Sequence, residues 1–371
     1  MKERLYIIGN GFDRHHGAQS SYYDFRKYLT HRNVNIIKSF DLYFGPRSLS
    51  WTLFHPILID WYFGDSPNLH LPVPKNEWAM EWLWSDFEKC LSMLDREKIM
   101  DILDMKLPSQ SLDDEGFRYA DYYAPLDEIE YRVNLCNFEM RYQFHKWIKT
   151  LQYAKGYKRK MVEVDRGALF LNFNYTEFLE SVYGVSREHI CYIHGSKRDP
   201  YGSLVLGHHL DEQRAYETWI HKNRNRRRNR PNQKDKKGRY FANDKLCYLA
   251  YFLDKPDRGN WRNPIRYYAA EDAKRRFEGY YRDSYKDTAS IIRQHEGFFV
   301  ALQDVKEVTV MGHSLSEVDM DYFRKIMASI GDIEHVQWRF SVFSEKDRQS
   351  VKKLIYRLNI PERGNVQTFS L

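Results

Sequence analysis

The residues with chemistry to offer gather in four short runs, each at the carboxyl end of an apolar stretch. These are Gly9-Asn10-Gly11-Phe12-Asp13, Asn172-Phe173-Asn174-Tyr175-Thr176, His194-Gly195-Ser196 and Gly312-His313-Ser314. In the first run, Gly9 and Gly11 allow a sharp turn and close backbone approach to a phosphate, with N–H donors from the helix that follows. The spacing is not G-x-G-x-x-G, and no acidic residue follows a second strand about 20 residues on, which argues against hydride transfer. A tight turn without ligand accounts equally well for Gly-Asn-Gly.

His194 titrates near neutrality in its ordinary state and can take a proton from a ribose hydroxyl or a water. A hydrogen bond that merely holds the loop closed is the competing use. The amides of Asn172 and Asn174 both donate and accept, which suits orienting a water or a ribose hydroxyl, although Asn is also a routine turn residue. Gly312, His313 and Ser314 precede a helix N-terminus that suits a polar ligand, while Ser316 with Asp319 reads as an ordinary capping box. His208 and His209 invite a metal reading together with His194. No carboxylate or Cys spacing supports it, so no metal is expected.

The elements that position these runs are legible from periodicity. Leu5–Ile8, Ala168–Leu171, His189–Ile193, Leu204–Leu206, Glu307–Met311 and Gln337–Phe343 read as strands, and Val366–Phe369 closes the chain. Ser21 and Asp24 form a capping box ahead of a helix carrying Phe25, Tyr28 and Leu29. Helices are expected over 77–95, 127–154, Glu177–Val182, Ser316–Ile330 and Glu345–Leu358. Strands that each hand over to a helix predict an α/β, doubly wound, mostly parallel Rossmann-like sheet. Its core is expected from 1–35, 166–210 and 301–371, with two largely helical insertions at 36–165 and 211–300. In such sheets ligands bind where loops converge at the carboxyl ends of strands, so the shared position of the four runs carries more weight than any one of them.

At 371 residues the chain exceeds one typical domain, in keeping with a core plus insertions. No stretch approaches the roughly 18 apolar residues of a membrane span, and the run in MKERLYIIGNGFD is too short for a signal peptide. Cys90, Cys136, Cys191 and Cys247 are scattered, which argues against a zinc site or disulfide framework and for the cytoplasm. The net charge of +7 is concentrated: Lys222–Arg239 holds ten Lys or Arg and one acid, leaving about −2 for the rest of the chain. Arg224, Arg226, Arg227, Arg228 and Arg230 within it are candidate phosphate contacts, and a solvated loop is the alternative.

Together the motifs are familiar. IIGNGFDRHHG with SSYYDF, then LNFNYTEFLE, YIHGS, LVLGHH and VMGHSLSEVDMDYF, resemble in order the bacteriophage abortive infection AbiH family. More distantly the set is similar to sirtuin-like NAD-consuming domains of bacterial defence systems. That resemblance implies NAD as substrate, with Gly9 and Gly11 at its phosphates and Asn174 facing the nicotinamide ribose. It further implies His194 as general base, and Gly312 and Ser314 on the adenosine side. Asn10, Phe12, Asn172, Thr176, Gly195 and His313 are the neighbouring cofactor-binding candidates, and Asp13 the anion for a positively charged sugar. Asn10 and Asp13 replace the usual small residues, and Thr176 stands where an Asp often follows the Asn. The absence of a four-cysteine module disfavours lysine deacylation.

Two function classes therefore stand open. One is hydrolysis of NAD at the nicotinamide–ribose bond, by an effector that answers a phage-derived trigger, with a homo-oligomer as a candidate assembly. The other is a nucleic-acid-directed effector using 222–239, or a nucleotide sensor without catalysis. Deleting 222–239 separates them. Loss of RNA or DNA binding with NAD cleavage intact assigns the two activities to different surfaces, whereas loss of both from a folded variant unites them. Binding through the segment weakens with salt with a slope of about −0.7 to −0.9 per phosphate contacted.

Overall fold

The computed structural model describes residues 2–44, 83–109, 114–223, 264–361 and 365–371. Six strands lie among them: β1 (Arg4–Ile8), β2 (Leu169–Asn172), β3 (Ile190–Tyr192), β4 (Glu307–Met311), β5 (Gln337–Ser341) and β6 (Val366–Phe369). They form one sheet in the order β3-β2-β1-β4-β5-β6, with every neighbouring pair parallel. The α/β reading holds, and the sheet is parallel throughout. Strand order runs outward from β1 to β3 on one side and from β4 to β6 on the other. The switch point falls between β1 and β4, where loops leave in opposite directions.

The strand sequences explain the layering. Leu5 and Ile7 of β1 enter one core with Val308, Val310, Trp338 and Phe340. Tyr6 and Ile8 enter another, on the opposite face, with Phe170, Phe178 and Tyr183. A central parallel strand is covered on both faces and so reads as a continuous apolar run rather than an alternation. The first core is closed by apolar residues of the helices Thr288–Gln294, Glu296–Val300, Met320–Ser329 and Glu345–Leu358.

The chain forms two compact units. One comprises Met1–Tyr28, Arg141–Leu206 and Lys286–Leu371 and holds the whole sheet. The other comprises Leu29–Met140 and Gly207–Tyr285, and its described elements are helical. There Phe40 packs between Phe44, Trp84 and Phe87 at centroid distances of 5.2, 4.9 and 4.9 Å. The Trp84 indole donates to Asp41 at 2.9 Å.

Several elements differ from expectation. Leu204–Leu206 is not a strand: the Val205 N–H donates to the His194 carbonyl at 2.9 Å, and no ladder continues from it. Three apolar residues make one such bond as readily as a strand. Within 77–95 the described residues are helical at 83–85 and over Phe87–Leu91, with a bend at Asp86 between them and a turn at Ser92 after them. The helix expected over 127–154 begins earlier, at Tyr119, and is broken by a π-helical turn at Leu135–Glu139. Ser316 makes no side-chain cap bond, and a 3-10 turn, Glu317–Asp319, precedes the helix Met320–Ser329. The box at Ser21 does form: the Ser21 N–H donates to Asp24 at 3.1 Å, and the Asp24 N–H donates back to Ser21 Oγ at 3.2 Å. Residues 224–239, with the five candidate arginines, lie outside the described residues.

At the switch point the two loops press backbone against backbone. A Cβ on Gly9 would lie 2.5 Å from His313 Cα, and one on Gly11 would lie 2.7 Å from Gly312 Cα. Gly312 has φ +63°, and a Cβ there would meet the Phe12 nitrogen at 2.2 Å. Both sterics and dihedral therefore demand glycine. Gly312→Ala is expected to destabilise the protein by at least about 2 kcal/mol. A wild-type denaturation midpoint in this variant contradicts that expectation.

Candidate functional site

All four sequence runs come to the carboxyl rim of the sheet, as the parallel strands require. Their residues do different things there. The N–H groups of Gly9, Gly11 and Phe12 donate to Met311 O, Gly312 O and Gly9 O at 2.9, 2.7 and 2.9 Å. These donors are thus used within the protein. Asn10 is exposed, and its amide exchanges hydrogen bonds with Ser20, donating to the carbonyl at 2.9 Å and accepting from the hydroxyl at 2.5 Å. Phe12 turns its ring into the core against His16 and Tyr183. Ser314 is exposed at the rim.

One polar knot joins the first two runs. Asn174 Nδ2 donates to Gly9 O at 3.0 Å and to Asp13 Oδ1 at 2.7 Å. The Thr176 hydroxyl donates to Asp13 Oδ2 at 2.6 Å. Asn172 Oδ1 accepts from the Asn174 N–H at 3.0 Å, a local turn that aims the Asn174 side chain at the β1 loop. Burial pushes the Asp13 carboxyl up to about 7, while the hydrogen bonds from Thr176 and Asn174 and the charge of Lys197 oppose it.

A second polar group sits beside it in the same unit. His194 is 4% exposed, its ring edge-on to Phe173 at 5.2 Å and to Tyr322 at 5.6 Å. Among the described residues its Nε2, which is buried, has no hydrogen-bond partner, and it lies 3.9 Å from Asp319 Oδ1. His313 Nε2 lies 3.6 Å from Asp319 Oδ2, and the fully buried Lys286 ammonium donates to Asp319 Oδ1 at 2.8 Å. Burial pushes His194 well below the usual histidine range. Lys286 and His313 add to that, and Asp319 and a hydrogen bond with the Phe173 backbone oppose it. The imidazole is neutral, so its approach to Asp319 is not an ion pair. Burial also pushes the Asp319 carboxyl up, but its polar neighbours, the Lys286 charge foremost, outweigh it and hold the group below the usual carboxylate range.

The two histidines are not equivalent. The Leu315 N–H donates to His313 Nδ1 at 2.9 Å, which makes that nitrogen an acceptor and leaves the proton on Nε2, facing Asp319. Leu315 holds φ +54° to make this bond. His313 is committed at Nδ1, whereas His194 keeps a nitrogen uncommitted, so only His194 of the pair can accept a proton without breaking a bond to the protein. Gly195, at φ +82°, turns the chain away directly after it, where a Cβ would lie 2.9 Å from Ser203 O.

Sequence reasoning did not bring Lys286 or Asp319 to the site. Asp319 reads as a cap three residues after Ser316, and nothing local in Tyr285-Lys286-Asp287 distinguishes Lys286 from a surface lysine. His208, raised as a metal partner, is instead bound by its neighbours: Ser284 Oγ lies 3.0 Å from its Nε2, and the Leu210 N–H donates to its Nδ1 at 3.2 Å. Among the described residues no three His, Cys, Asp or Glu cluster so as to hold a metal ion. A groove of about 720 Å³ runs along β3, lined by Lys2, Arg187, Cys191, Gly195, Val205 and His295 among others. It borders the rim at Gly195 but does not include the His194 ring.

An all-parallel open sheet with one polar site at its carboxyl rim defines a Rossmann-like α/β protein. Residues 5–342 match the family model described as bacteriophage abortive infection AbiH, and the chain belongs to that family. No curated protein and no solved structure matches it. Among the described residues no helix is long and apolar enough to cross a membrane.

The titration of Asp13 gives a stability prediction. Its folded value of about 7 lies above the ordinary 3.8, so its contribution is full below pH 3.8 and is lost as pH rises through about 7. In urea denaturation, the stability of Asp13→Asn relative to wild type should therefore grow from about pH 4 to about pH 7 and then level off. A constant difference across that range contradicts the raised value.

Proposed function

We propose that this abortive-infection protein is an effector that hydrolyses NAD at the nicotinamide–ribose bond, with His194 as general base. The observation that carries the reading is the uncommitted, buried Nε2 of a neutral His194 at the carboxyl rim. A base of this kind has its lone pair available and meets little competition from bulk water.

In the reaction, water forms a bond to the anomeric carbon while the bond to nicotinamide breaks, its electron pair leaving with the ring. The water gives its proton to His194 Nε2, which later returns it to solvent. The sugar carries oxocarbenium charge at the transition state, and a nearby anion stabilises it. Asp13, ionised above about pH 7 and held by Asn174 and Thr176, is the candidate for that anion. Gly195 and the exposed Ser314 and Asn10 border the remaining contacts with the dinucleotide.

With His194 only 4% exposed, a dinucleotide reaches Nε2 only after the rim opens. We read the closed rim as the resting state of an effector that waits for a phage-derived signal. Incubated with NAD and an activating phage component, wild type should release nicotinamide, and His194→Ala should do so about 10²–10⁴-fold more slowly. Full activity in folded His194→Ala, or persistent silence of activated wild type, contradicts the proposal.

A further inference from the structure

Four ionisable groups face one another inside the sheet unit: His194, His313, Asp319 and Lys286. Tyr322 and Tyr175 complete the walls around His194, at ring distances of 5.6 and 6.4 Å. Lys286 is the first residue of the sheet unit as the chain returns from the helical unit. Its side chain is fully buried, its ammonium donates to Asp319 Oδ1 at 2.8 Å, and it lies 5.7 Å from the centre of the Tyr322 ring. The local backbone is tied as well: the Thr288 N–H donates to Lys286 O at 2.9 Å, and the Thr288 hydroxyl donates to Asp321 at 2.7 Å. A buried ammonium and carboxylate are expensive to desolvate, and an apolar pair often serves stability as well or better. Their place beside an uncommitted histidine nitrogen therefore calls for a role other than stability.

We propose that the buried Lys286–Asp319 pair is a positioning device for His194, in which Asp319 receives the imidazolium formed at Nε2 and Lys286 restores the neutral base. The geometry is specific to this role. Asp319 divides its two oxygens: Oδ1 faces Lys286 and His194, and Oδ2 faces His313. When Nε2 gains a proton, the ring becomes a donor with a carboxylate oxygen 3.9 Å away, so a small movement completes a charge-assisted hydrogen bond. Lys286 opposes the same charge and keeps it transient. The inference rests on His194 as the base, but its test does not depend on NAD cleavage.

The measurement is the protonation and tautomer of His194 against pH, by nitrogen-15 NMR of the histidine-labelled full chain, in wild type, Lys286→Met, Lys286→Arg and Asp319→Asn. Lys286→Met should move the His194 midpoint up by about one pH unit or more, and Asp319→Asn should move it down. Lys286→Arg should stay near wild type. Loss of Lys286 alone strands the Asp319 charge, so Lys286→Met can fail to fold. In that event Asp319→Asn carries the test: the carboxylate 3.9 Å from Nε2 is replaced by a neutral amide, so the His194 midpoint should fall below that of wild type. Folded Lys286→Met with an unmoved or lowered midpoint overturns the proposal, as does an unmoved or raised midpoint in Asp319→Asn. Nicotinamide release by the same variants separates the two readings. Shifted midpoints in a protein that never cleaves NAD keep the pair's role and reject the hydrolase. Cleavage whose pH profile ignores both substitutions keeps the hydrolase and rejects the pair's role.

Discussion

The site depends on the contact between two loops that only glycine permits. At the switch point of the sheet, Gly9 and Gly11 after β1 meet Gly312 and His313 after β4 with no side chain between them. Backbone hydrogen bonds from Gly9 to Met311 O and from Gly11 to Gly312 O close the seam. The approach fixes where His313 leaves the backbone, and through the Leu315 N–H it fixes which nitrogen of His313 is spoken for. It also fixes Gly9 O as the acceptor for Asn174, and so ties the β2 loop to the β1 loop. Several polar side chains from three strand ends are oriented by one backbone contact.

This changes what the glycines are for. A glycine turn with free N–H groups would cradle a phosphate. Here those N–H groups have protein acceptors, so the role of Gly9 and Gly11 in this state is to let two loops close. The helix that follows, Asn10–His15, buries Phe12 and Asp13 and ends in the His16 ring, which contacts both Phe12 O and the Tyr183 hydroxyl. The pattern Gly-Asn-Gly-Phe-Asp thus encodes a seam, a core anchor and a buried acid in five residues.

Much of the fold was legible because the sheet is parallel and central. β1, β4 and β5 each appear as short apolar or alternating runs bounded by turn residues, and their sequence positions match the structure closely. Leu204–Leu206 misled because three apolar residues after a glycine-bearing loop satisfy the same pattern without a ladder partner. The helical regions were less legible: a π-helical turn at Leu135–Glu139 leaves no periodic signature strong enough to see. The four strand-end runs were readable for the same reason as the strands. Lys286 and Asp319 were not, because what distinguishes them is burial beside His194, and burial of a charge depends on residues 33 positions apart in sequence meeting in space. Local pattern favours the bland reading for both: a cap for one, a solvated lysine for the other.

The central claim is that the loops after β1, β2, β3 and β4 form one site for one dinucleotide. The most direct measurement is equilibrium binding of NAD to His194→Ala, followed by residue-resolved NMR shifts in the presence of the activating signal. The account predicts saturable shifts confined to residues 9–13, 172–176, 194–196 and 312–314. Shifts centred instead on the groove along β3, at Lys2, Arg187 and His295, or none at all up to millimolar NAD, would contradict it.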